Sequence, residues 1–455
     1  MNTPNKSVNA WIFLEEDEPA KSSYKSADSC YQSLIDYGVY NSTDMVSICW
    51  VNTLPTGPTT VPAGDGTTHT VELQVKIHPD GSTNQQYMDW LIQDARNANP
   101  NIKLMVMLGY GATEITQIFS TDSSQWQQNA TDFANNLVAY LQYYNLDGFD
   151  VDWESPLSDA GTSQQFQLLF TAIRTAFKAQ SRYYYLTLSP DEVGTLDAQT
   201  VNDAFDFVNL QLYDGFTCPD EFLDAGVSQS LLAYGAKFEV NSGVPYQTAQ
   251  QAAAFWNPNQ DCKQLSYNVI TQWRLNSNDF QYEQAQQMIL YQLVYGIPGT
   301  TFDDTPIIGA AGNPTISQMV VRSGEVLDAI QATNSGIFES NFGSNPVSYI
   351  LLQHGGNGGN PSTVAIPSGD SISEVSGYTG IWYGWQCVLQ ITIKTLGGKV
   401  FGPFGTMTSA SSKTPFTYTA PSGQSIVAFS GSIVEVPLAG GGLTYIVASL
   451  NATIA

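Results

Sequence analysis

The sequence predicts two folds in one chain: an α/β barrel of parallel strands over residues 1–345 and an all-β domain over residues 346–455. Up to about Asn345, short apolar segments alternate with amphipathic segments of helical period, which is typical of repeated βα units. After Gly343 the helical pattern ends, and short alternating strands rich in Gly, Ser and Thr follow one another. Eight strands with intervening helices favour a closed barrel of the TIM (β/α)8 type.

The strand predictions rest on short apolar runs bounded by turn residues. The eight candidate barrel strands are 8–14, 45–51, 103–108, 148–154, 184–189, 208–213, 291–297 and 336–339. Residues 237–240 are an alternative seventh strand. Hydrophobic residues recur at helical spacing over 126–144 and 164–177, so both segments are predicted to be helices that pack outside the sheet.

The composition favours a neutral, hydroxyl-rich ligand. The chain carries 41 acidic and 16 basic residues, a formal net charge of -25. This charge argues against nucleic acid or an anionic membrane as a partner. The polar start of the chain lacks the pattern of a secretory signal, and no run reaches membrane-spanning length, so we expect a soluble protein with any export by another route. Nothing in the sequence specifies an oligomeric state.

Cysteine and histidine are too few and too dispersed for most metal or nucleophile chemistry. The five cysteines have no C-x-x-C spacing and are expected to be small core residues rather than a disulfide framework. Only three histidines occur, which disfavours a histidine metal site or a Ser-His-Asp triad. We therefore expect no metal and no cofactor, and we expect carboxylates to perform the acid-base chemistry.

Three carboxylates occupy alternate positions of one predicted strand: Asp150, Asp152 and Glu154. Side chains alternate between the two faces of a strand, so these acids share one face and the hydrophobic residues that alternate with them take the other. Burial and neighbouring like charges both raise carboxyl pKa values, and such a row tends to share protons. The pattern predicts a catalytic acid at the carboxyl end of a barrel strand, where the active sites of such barrels lie.

The segment from Asp147 to Glu154, Asp-Gly-Phe-Asp-Val-Asp-Trp-Glu, resembles the D-G-x-D-x-D-x-E signature of family 18 glycoside hydrolases, the chitinases and endo-β-N-acetylglucosaminidases. Three further segments are similar to family patterns on other strands. They are Leu108-Gly109-Tyr110-Gly111, Gln211-Leu212-Tyr213-Asp214 and Tyr295-Gly296-Ile297-Pro298.

The resemblance implies retaining, substrate-assisted hydrolysis of a glycan that contains N-acetylglucosamine. Glu154 would protonate the leaving oxygen and later activate water. Asp152 would orient the acetamido group of the substrate, Asp150 would hold a shared proton, and Tyr213 would donate to the acetamido oxygen.

The remaining site predictions concern substrate contacts and the frame of the motif. Asp214 and Gln211 are expected to contact sugar hydroxyls, and Tyr110 and Trp50 to stack on sugar rings. The other two motif residues, Asp147 and Gly148, are expected to be structural.

Two positions depart from the family pattern. Leu108 stands in place of the usual serine, and Ser340 follows the predicted eighth strand where many chitinases have a tryptophan under the sugar. The second departure predicts that another aromatic residue supplies the stacking surface.

The carboxyl-terminal domain resembles a jacalin-like lectin, whose fold is a β-prism. The similar segments are 375–378, 400–405 and 426–431. Jacalin relatives bind sugar through a late G-x-x-x-D loop, and residues 438–443 offer no aspartate for such a loop. We therefore expect this domain to bind sugar elsewhere, with Trp382 and Trp385 as candidates, or to serve association.

Three functions follow as alternatives. The first is a chitinase that acts on chitin or chitooligosaccharide, and the second is an endo-β-N-acetylglucosaminidase that acts on N-glycans. The third is a glycan-binding or toxin-associated lectin that does not hydrolyse its ligand. The intact acid row disfavours the third.

Overall fold

The computed structural model describes residues 6–15, 23–53, 70–109, 115–154, 160–190, 196–215, 217–241, 244–296, 299–337, 346–437 and 442–455. The chain divides into two compact units. The first comprises Met1–Glu239 and Ala249–Glu283, and the second comprises Val240–Thr248 and Gln284–Ala455.

Eight described strands of the first unit close into a parallel barrel, which confirms the predicted fold class. In chain order they are β1 (Ser7–Phe13), β2 (Met45–Thr53), β3 (Lys103–Leu108), β4 (Gly148–Trp153), β5 (Tyr185–Pro190), β6 (Phe207–Leu210), β7 (Leu232–Lys237) and β8 (Val269–Trp273). Each strand pairs with the next in parallel register, and β8 returns to β1. A short strand, Val71–Leu73, lies antiparallel to β2.

The described α-helices alternate with strands along much of the chain. They are Cys30–Asp36, Asn84–Ala98, Trp126–Tyr143, Ala160–Lys178, Ala198–Ala204, Pro219–Asp224, Ala249–Ala253, Phe280–Tyr295 and Thr305–Ala310. In Trp126–Tyr143, the buried residues include Phe133, Leu137 and Leu141, which lie on one face at a spacing of four. Within the described ranges, no helix combines the length and hydropathy needed to cross a membrane.

The two predicted helices match Trp126–Tyr143 and Ala160–Lys178 closely. Asn84–Ala98 begins with a capping box in which the Thr83 hydroxyl accepts from the Gln86 amide, and the Gln86 side chain accepts from the Thr83 amide.

The barrel interior is hydrophobic near the amino-terminal ends of the strands. Residues from five strands form one buried cluster against which Tyr185 packs, and they are Met45, Met105, Phe207, Ala233 and Val269. This layer closes the barrel floor, so that polar side chains can lie nearer the carboxyl ends of the strands.

Asp147 and Gly148 fix the start of β4. The Asp147 carboxylate lies 3.3 Å from an Arg96 nitrogen and 2.6 Å from an Arg182 nitrogen, and it accepts from the Leu104 amide at 3.0 Å. A Cβ at Gly148 would lie 2.4 Å from the Tyr185 carbonyl oxygen, too close for any side chain. Both residues therefore act at the end of β4 that is opposite to Glu154.

From Thr315 onward, the described residues of the second unit form strands and loops without a helix, which agrees with the all-β fold predicted for residues 346–455. One sheet contains Thr301–Asp303, Ile426–Pro437, Ile372–Trp382, Trp385–Thr395 and Val400–Phe404, with Ala410–Thr419 on Ile372–Trp382 and Leu443–Ile454 on Ile426–Pro437. The other contains Pro346–Ile350, Leu327–Ile337, Thr315–Ser323 and Asn360–Ala365, with His354–Gly355 on Leu327–Ile337. A two-strand pair, Val240–Asn241 and Val244–Pro245, also belongs to this unit.

The predicted seventh and eighth strands are wrong. Residues 291–295 form the end of helix Phe280–Tyr295, because a short apolar run does not by itself separate a helix from a buried strand. Gly336 and Ile337 end a long strand of the second unit. The alternative seventh strand, residues 237–240, overlaps the observed β7 only at Lys237.

The domain boundary shifts with these strands. The two units divide between Glu283 and Gln284, well before residue 345. The antiparallel pairing of Leu327–Ile337 with Pro346–Ile350 spans the boundary predicted from sequence, so that boundary would cut through one sheet.

The expectation that all cysteines are core thiols is also wrong. Cys218 and Cys262 form a disulfide, with their Cα atoms 5.5 Å apart. Their separation of 44 residues in sequence gives no local signal of the pairing. Cys30, Cys49 and Cys387 are buried free thiols, as predicted.

Replacing Gly148 should destabilise the barrel. Gly148→Ala places a methyl group against the backbone of β5, and we expect a loss of about 1–3 kcal/mol in the free energy of unfolding. Denaturant titration measures the change. Gly109→Ala is the matched control, because its Cβ would meet the nearest atom at an ordinary 3.7 Å. Equal midpoints for the two variants would contradict this explanation.

Candidate active site

The acid row lies on β4 as the alternation predicts. Asp150 is fully buried, Asp152 is 3% exposed, and Glu154, just past the end of the strand, is exposed. On the opposite face, the Trp153 ring packs against Phe166 of helix Ala160–Lys178, with centroids 5.6 Å apart. Exposure therefore increases along the row toward the carboxyl end of the strand.

Asp150 accepts hydrogen bonds from several strands. Thr187 of β5 donates to Oδ1 at 2.5 Å, and the Trp11 indole of β1 donates to Oδ2 at 2.8 Å. Ser189 and the Val151 amide also donate to Oδ1, at 3.3 and 3.1 Å. Burial raises the pKa of Asp150, and these hydrogen bonds to the carboxylate offset part of the increase.

The hydrogen bonds continue across the barrel interior. Asn209 of β6 donates to the Ser189 hydroxyl at 3.1 Å, and Thr271 of β8 donates to Asn209 at 2.6 Å. The network thus joins β8, β6, β5, β4 and β1 around Asp150. A buried network with satisfied partners holds its members in one arrangement.

A cavity of about 200 Å³ opens above this network. Its walls combine two acids with one amide, two hydroxyls, a cation and aromatic rings. The lining residues are Trp11, Met107, Asp152, Glu154, Ser189, Gln211, Tyr213, Lys237 and Trp273. The position agrees with the carboxyl-end location expected for a barrel active site.

Gln211 connects Tyr213 to Glu154. The Tyr213 hydroxyl donates to Gln211 Oε1 at 3.0 Å, and Gln211 Nε2 donates to Glu154 Oε1 at 3.5 Å. Tyr213 is 9% exposed and lies in the short 3-10 helix that follows β6. The structure therefore brings four of the predicted residues, Asp152, Glu154, Gln211 and Tyr213, to one cavity.

An aromatic residue does end the eighth strand. The true β8 ends at Trp273, which lines the cavity beside the acids. Trp273 packs against Trp11 and Phe13, with ring centroids 5.5 and 5.0 Å apart. The departure assigned to Ser340 came from the wrong eighth strand, and Ser340 itself lies outside the described residues.

The other predicted contact residues occupy different positions. Trp50 is partly buried and packs against Phe13, with centroids 4.8 Å apart, rather than lining the cavity. Tyr110 lies outside the described residues. Asp214 ends the 3-10 helix Leu212–Asp214, and its side chain is also outside the described part of the structure.

Sequence reasoning missed Trp11, Trp273 and Lys237 as cavity residues. Trp273 ends a short β-rich segment, so correct strand assignment would have found it. Trp11 lies on the correctly predicted β1, but every residue of that strand is buried, so its pattern does not single Trp11 out. Lys237 ends β7, whose Leu-Ala-Tyr-Gly-Ala-Lys sequence is a weak strand pattern.

The second unit also contains a G-x-x-x-D sequence, Gly324 to Asp328, which lies outside the residues 438–443 where such a loop was expected. Burial raises the pKa of the Asp328 carboxyl, and the Gly324 backbone and the positive charge of Arg322 offset part of that increase. A Cβ at Gly358 or Gly359 would lie 2.3 or 2.4 Å from an Asp328 oxygen. The two loops therefore meet at the carboxylate.

Curated relatives match part of the chain. Chitinase 1 of Aphanocladium album is 27% identical over 176 residues, which are 36% of this chain and 38% of that protein. Chitinase A1 of Niallia circulans is 30% identical over 135 residues, 26% of this chain and 19% of that protein. The chain thus spans well under half the length of these relatives.

Solved lectin structures resemble part of the chain. The galactose-binding lectin from Champedak, in complex with Gal(beta)1,3-GalNac, has 24% identity and a TM-score of 0.24, covering 34% of this chain and 99% of that one. Frutalin from Artocarpus incisa in complex with galactose has 22% identity and a TM-score of 0.24, with coverage of 34% and 99%.

Family models match both parts of the chain. The model of the jacalin-like lectin domain matches residues 293–435. The model of glycosyl hydrolases family 18 matches residues 35–288, more than half of the chain, and includes the acid row. The chain therefore belongs to glycosyl hydrolase family 18 and carries a jacalin-like lectin domain after its barrel.

Proposed function

We propose that the barrel is a chitinase-like hydrolase that cleaves β-1,4 linkages between N-acetylglucosamine units. The observation that carries this proposal is the meeting of Asp152, Glu154 and Tyr213 at one cavity, with the buried Asp150 directly behind them on β4. The family signature supports the same chemistry, which is retaining hydrolysis assisted by the substrate itself.

Glu154 is the acid and base in this proposal. Its exposed position past the strand end suits contact with a glycosidic oxygen that enters from solvent. The Glu154 carboxyl gives its proton to the leaving oxygen while the substrate's 2-acetamido carbonyl attacks the anomeric carbon. In the second step, Glu154 takes a proton from water, and the water oxygen opens the oxazolinium ring.

Asp152, Tyr213 and Asp150 support that intermediate. Asp152 orients the acetamido group and stabilises its developing positive charge, and Tyr213 donates to the acetamido oxygen. Because burial raises the pKa of Asp150, this residue is suited to hold a proton that it can share with Asp152 as charge develops.

The cavity walls suit a neutral sugar. Trp273 and Trp11 offer ring surfaces, and Gln211 and Ser189 offer donors and acceptors for hydroxyl groups. Sugar sites commonly combine aromatic faces with a few placed polar groups. The net charge of -25 also favours a neutral glycan over an acidic one.

We also propose that the second unit binds a sugar at Asp328. Its carboxylate follows the G-x-x-x-D pattern of jacalin relatives and lies against the Gly358 and Gly359 backbone. The Trp382 indole donates to Glu325, inside the same loop, at 2.8 Å. The partly exposed Trp385 lies on the same hairpin and offers a ring surface.

Glu154→Gln should abolish hydrolysis, because an amide cannot donate or accept the catalytic proton. We expect turnover of chitooligosaccharides to fall at least about 100-fold with an unchanged unfolding temperature. Product analysis by mass spectrometry measures the loss. Glu221→Gln, an exposed position on helix Pro219–Asp224, is the matched control and should retain full activity.

The same assay separates the alternatives. Unchanged turnover in Glu154→Gln would refute the catalytic proposal. Cleavage of a high-mannose N-glycan without cleavage of chitooligosaccharides would replace the chitinase activity with endo-β-N-acetylglucosaminidase activity. Retention on chitin without any product from the wild type would favour the binding protein.

Asp150→Asn should change the pH dependence of stability. The folded-state pKa of Asp150 is raised by burial, so its contribution to stability is present at low pH and is lost as pH rises through the folded pKa. We expect the wild type to lose more stability than Asp150→Asn between about pH 4 and pH 8. Urea unfolding at each pH measures the difference.

Asp132→Asn is the control for that experiment, since it introduces the same amide on the exposed face of helix Trp126–Tyr143. If the free energy of unfolding depends on pH in the same way in the wild type and in Asp150→Asn, Asp150 does not retain its proton in the folded protein.

Asp328→Asn should weaken sugar binding by the second unit and leave the barrel active. Loss of charge-assisted hydrogen bonds predicts an affinity decrease of roughly 10-fold or more. Calorimetric titration with methyl glycosides of galactose, glucose and mannose measures it. Asp370→Asn, which replaces a partly exposed carboxylate of the same unit with the same amide, is the control. Equal affinities in both variants would place any sugar site away from Asp328.

A further inference from the structure

A disulfide closes the short connection that carries Tyr213. Cys218 follows Tyr213 closely in sequence and is bonded to Cys262, with their Cα atoms 5.5 Å apart. Tyr213 lies in the 3-10 helix Leu212–Asp214, between the end of β6 and the disulfide. The parallel pairing of β6 with β7 fixes one end of this connection, and the disulfide fixes the other. A short segment held at both ends has few conformations to choose from.

The segment that contains Cys262 is itself anchored on β7. Tyr234 of β7 is fully buried, and its hydroxyl donates to the Trp256 carbonyl oxygen. The Tyr234 ring packs against Phe255 and Tyr267, with centroids 5.9 and 5.7 Å apart. Phe255 and Tyr267 also pack on each other, at 5.3 Å. Cys262 lies between these two aromatic residues in sequence, so the barrel wall fixes the position of the partner that Cys218 bonds to.

Two further contacts join the same two segments. Gly215, whose φ is 74°, lies beside the Pro258 ring, since a Cβ at this glycine would be 3.5 Å from Pro258 Cγ. The Lys263 amide donates to Asp220 Oδ2 at 2.6 Å. One contact precedes the disulfide along the chain and the other follows it. The disulfide and these two contacts are called the clamp below.

The clamp disulfide can be opened without touching the other cysteines. Cys218 and Cys262 are both partly exposed, whereas the free thiols of Cys30, Cys49 and Cys387 are buried. A soluble dithiol reductant supplies two electrons and two protons to the disulfide and becomes a cyclic disulfide itself. Both clamp cysteines are then thiols, and reoxidation reverses the change.

We propose that the Cys218–Cys262 disulfide is a positioning element of the active site, which holds Tyr213 where its hydroxyl meets the acetamido oxygen of the substrate. This inference rests on the proposed function, because it assigns the disulfide a task in the step that Tyr213 assists. The cysteines act through the geometry of Tyr213 and take no part in the chemistry. Disulfides persist in oxidising compartments, so full activity belongs to the protein in such a compartment.

A double-mutant cycle tests the connection between the disulfide and Tyr213. Cys218→Ser combined with Cys262→Ser removes the bond and leaves no unpaired thiol in the clamp. We expect this pair to lower kcat on chitooligosaccharides roughly 10-fold, with little change in KM, because a small displacement of a group that acts in the transition state lowers the rate. In Tyr213→Phe the same pair should have little further effect, because the hydroxyl that it positions is already absent.

Asn202→Ala is the matched control. The Asn202 side chain donates to the Gly226 carbonyl oxygen at 2.9 Å and accepts from the Ser228 amide at 2.8 Å, so it stabilises the same β6–β7 connection near the start of β7. This variant should keep the kcat of the wild type. Thermal unfolding confirms that each variant is folded at the assay temperature. An unchanged kcat in the serine pair, or an equal loss with and without the Tyr213 hydroxyl, would overturn the inference.

A fluorine label reports on Tyr213 without any turnover. Fluorotyrosine is incorporated at position 213 alone, and its fluorine NMR signal is recorded before reduction with a dithiol, after reduction and after reoxidation. Mass spectrometry after alkylation confirms that only the clamp disulfide has opened. We expect the signal to shift or broaden on reduction and to return on reoxidation. The same label at Tyr143, an exposed residue that ends helix Trp126–Tyr143, should give an unchanged signal.

The two measurements separate this inference from the proposed function. An unchanged fluorine signal at position 213 would overturn the inference, whatever happens to kcat. A wild type without turnover would overturn the proposed function instead, and the fluorine signal would still decide whether the disulfide holds Tyr213 in place.

Discussion

The burial of the Asp150 carboxyl is the constraint on which the rest of the barrel depends. A carboxyl without solvent is stable only if donors surround it, and the nearest donors come from β1, β5 and the adjacent amide of β4. These donors reach Asp150 only when the barrel is closed in its observed register, with Thr187 beside Asp150. The acid row and the closed barrel therefore require each other.

This constraint arranges the interior in layers. A hydrophobic layer that includes Met45, Met105 and Phe207 closes the floor. The network from Thr271 to Asp150 occupies the middle, and Trp11, Trp273 and the exposed end of the acid row form the mouth. The three acids on one strand face thus meet three environments: full burial, near burial at the cavity wall, and solvent. Different environments give chemically identical carboxyl groups different proton affinities and different tasks.

Sequence patterns predicted the barrel well where periodicity is strong. The first six strands and both predicted helices agree with the structure to within a few residues. The prediction failed at β7 and β8, because Leu-Ala-Tyr-Gly-Ala-Lys carries a glycine and a lysine, and Val-Ile-Thr-Gln-Trp is short. The apolar run near residue 291 was predicted to be the seventh strand instead, although it belongs to a helix. Because the eighth strand was predicted at the wrong residues, the tryptophan that ends β8 was not identified from the sequence.

The sequence by itself determined the acid row, because alternation along a strand is a local property of consecutive residues. It also determined the family through the same motif. Only the tertiary structure decided which side chains meet that row: Trp11, Trp273 and Lys237 come from distant strands, and Cys218 pairs with Cys262 across 44 residues. Strand order and register bring such residues together, and the residue spacing within a single segment specifies neither of them.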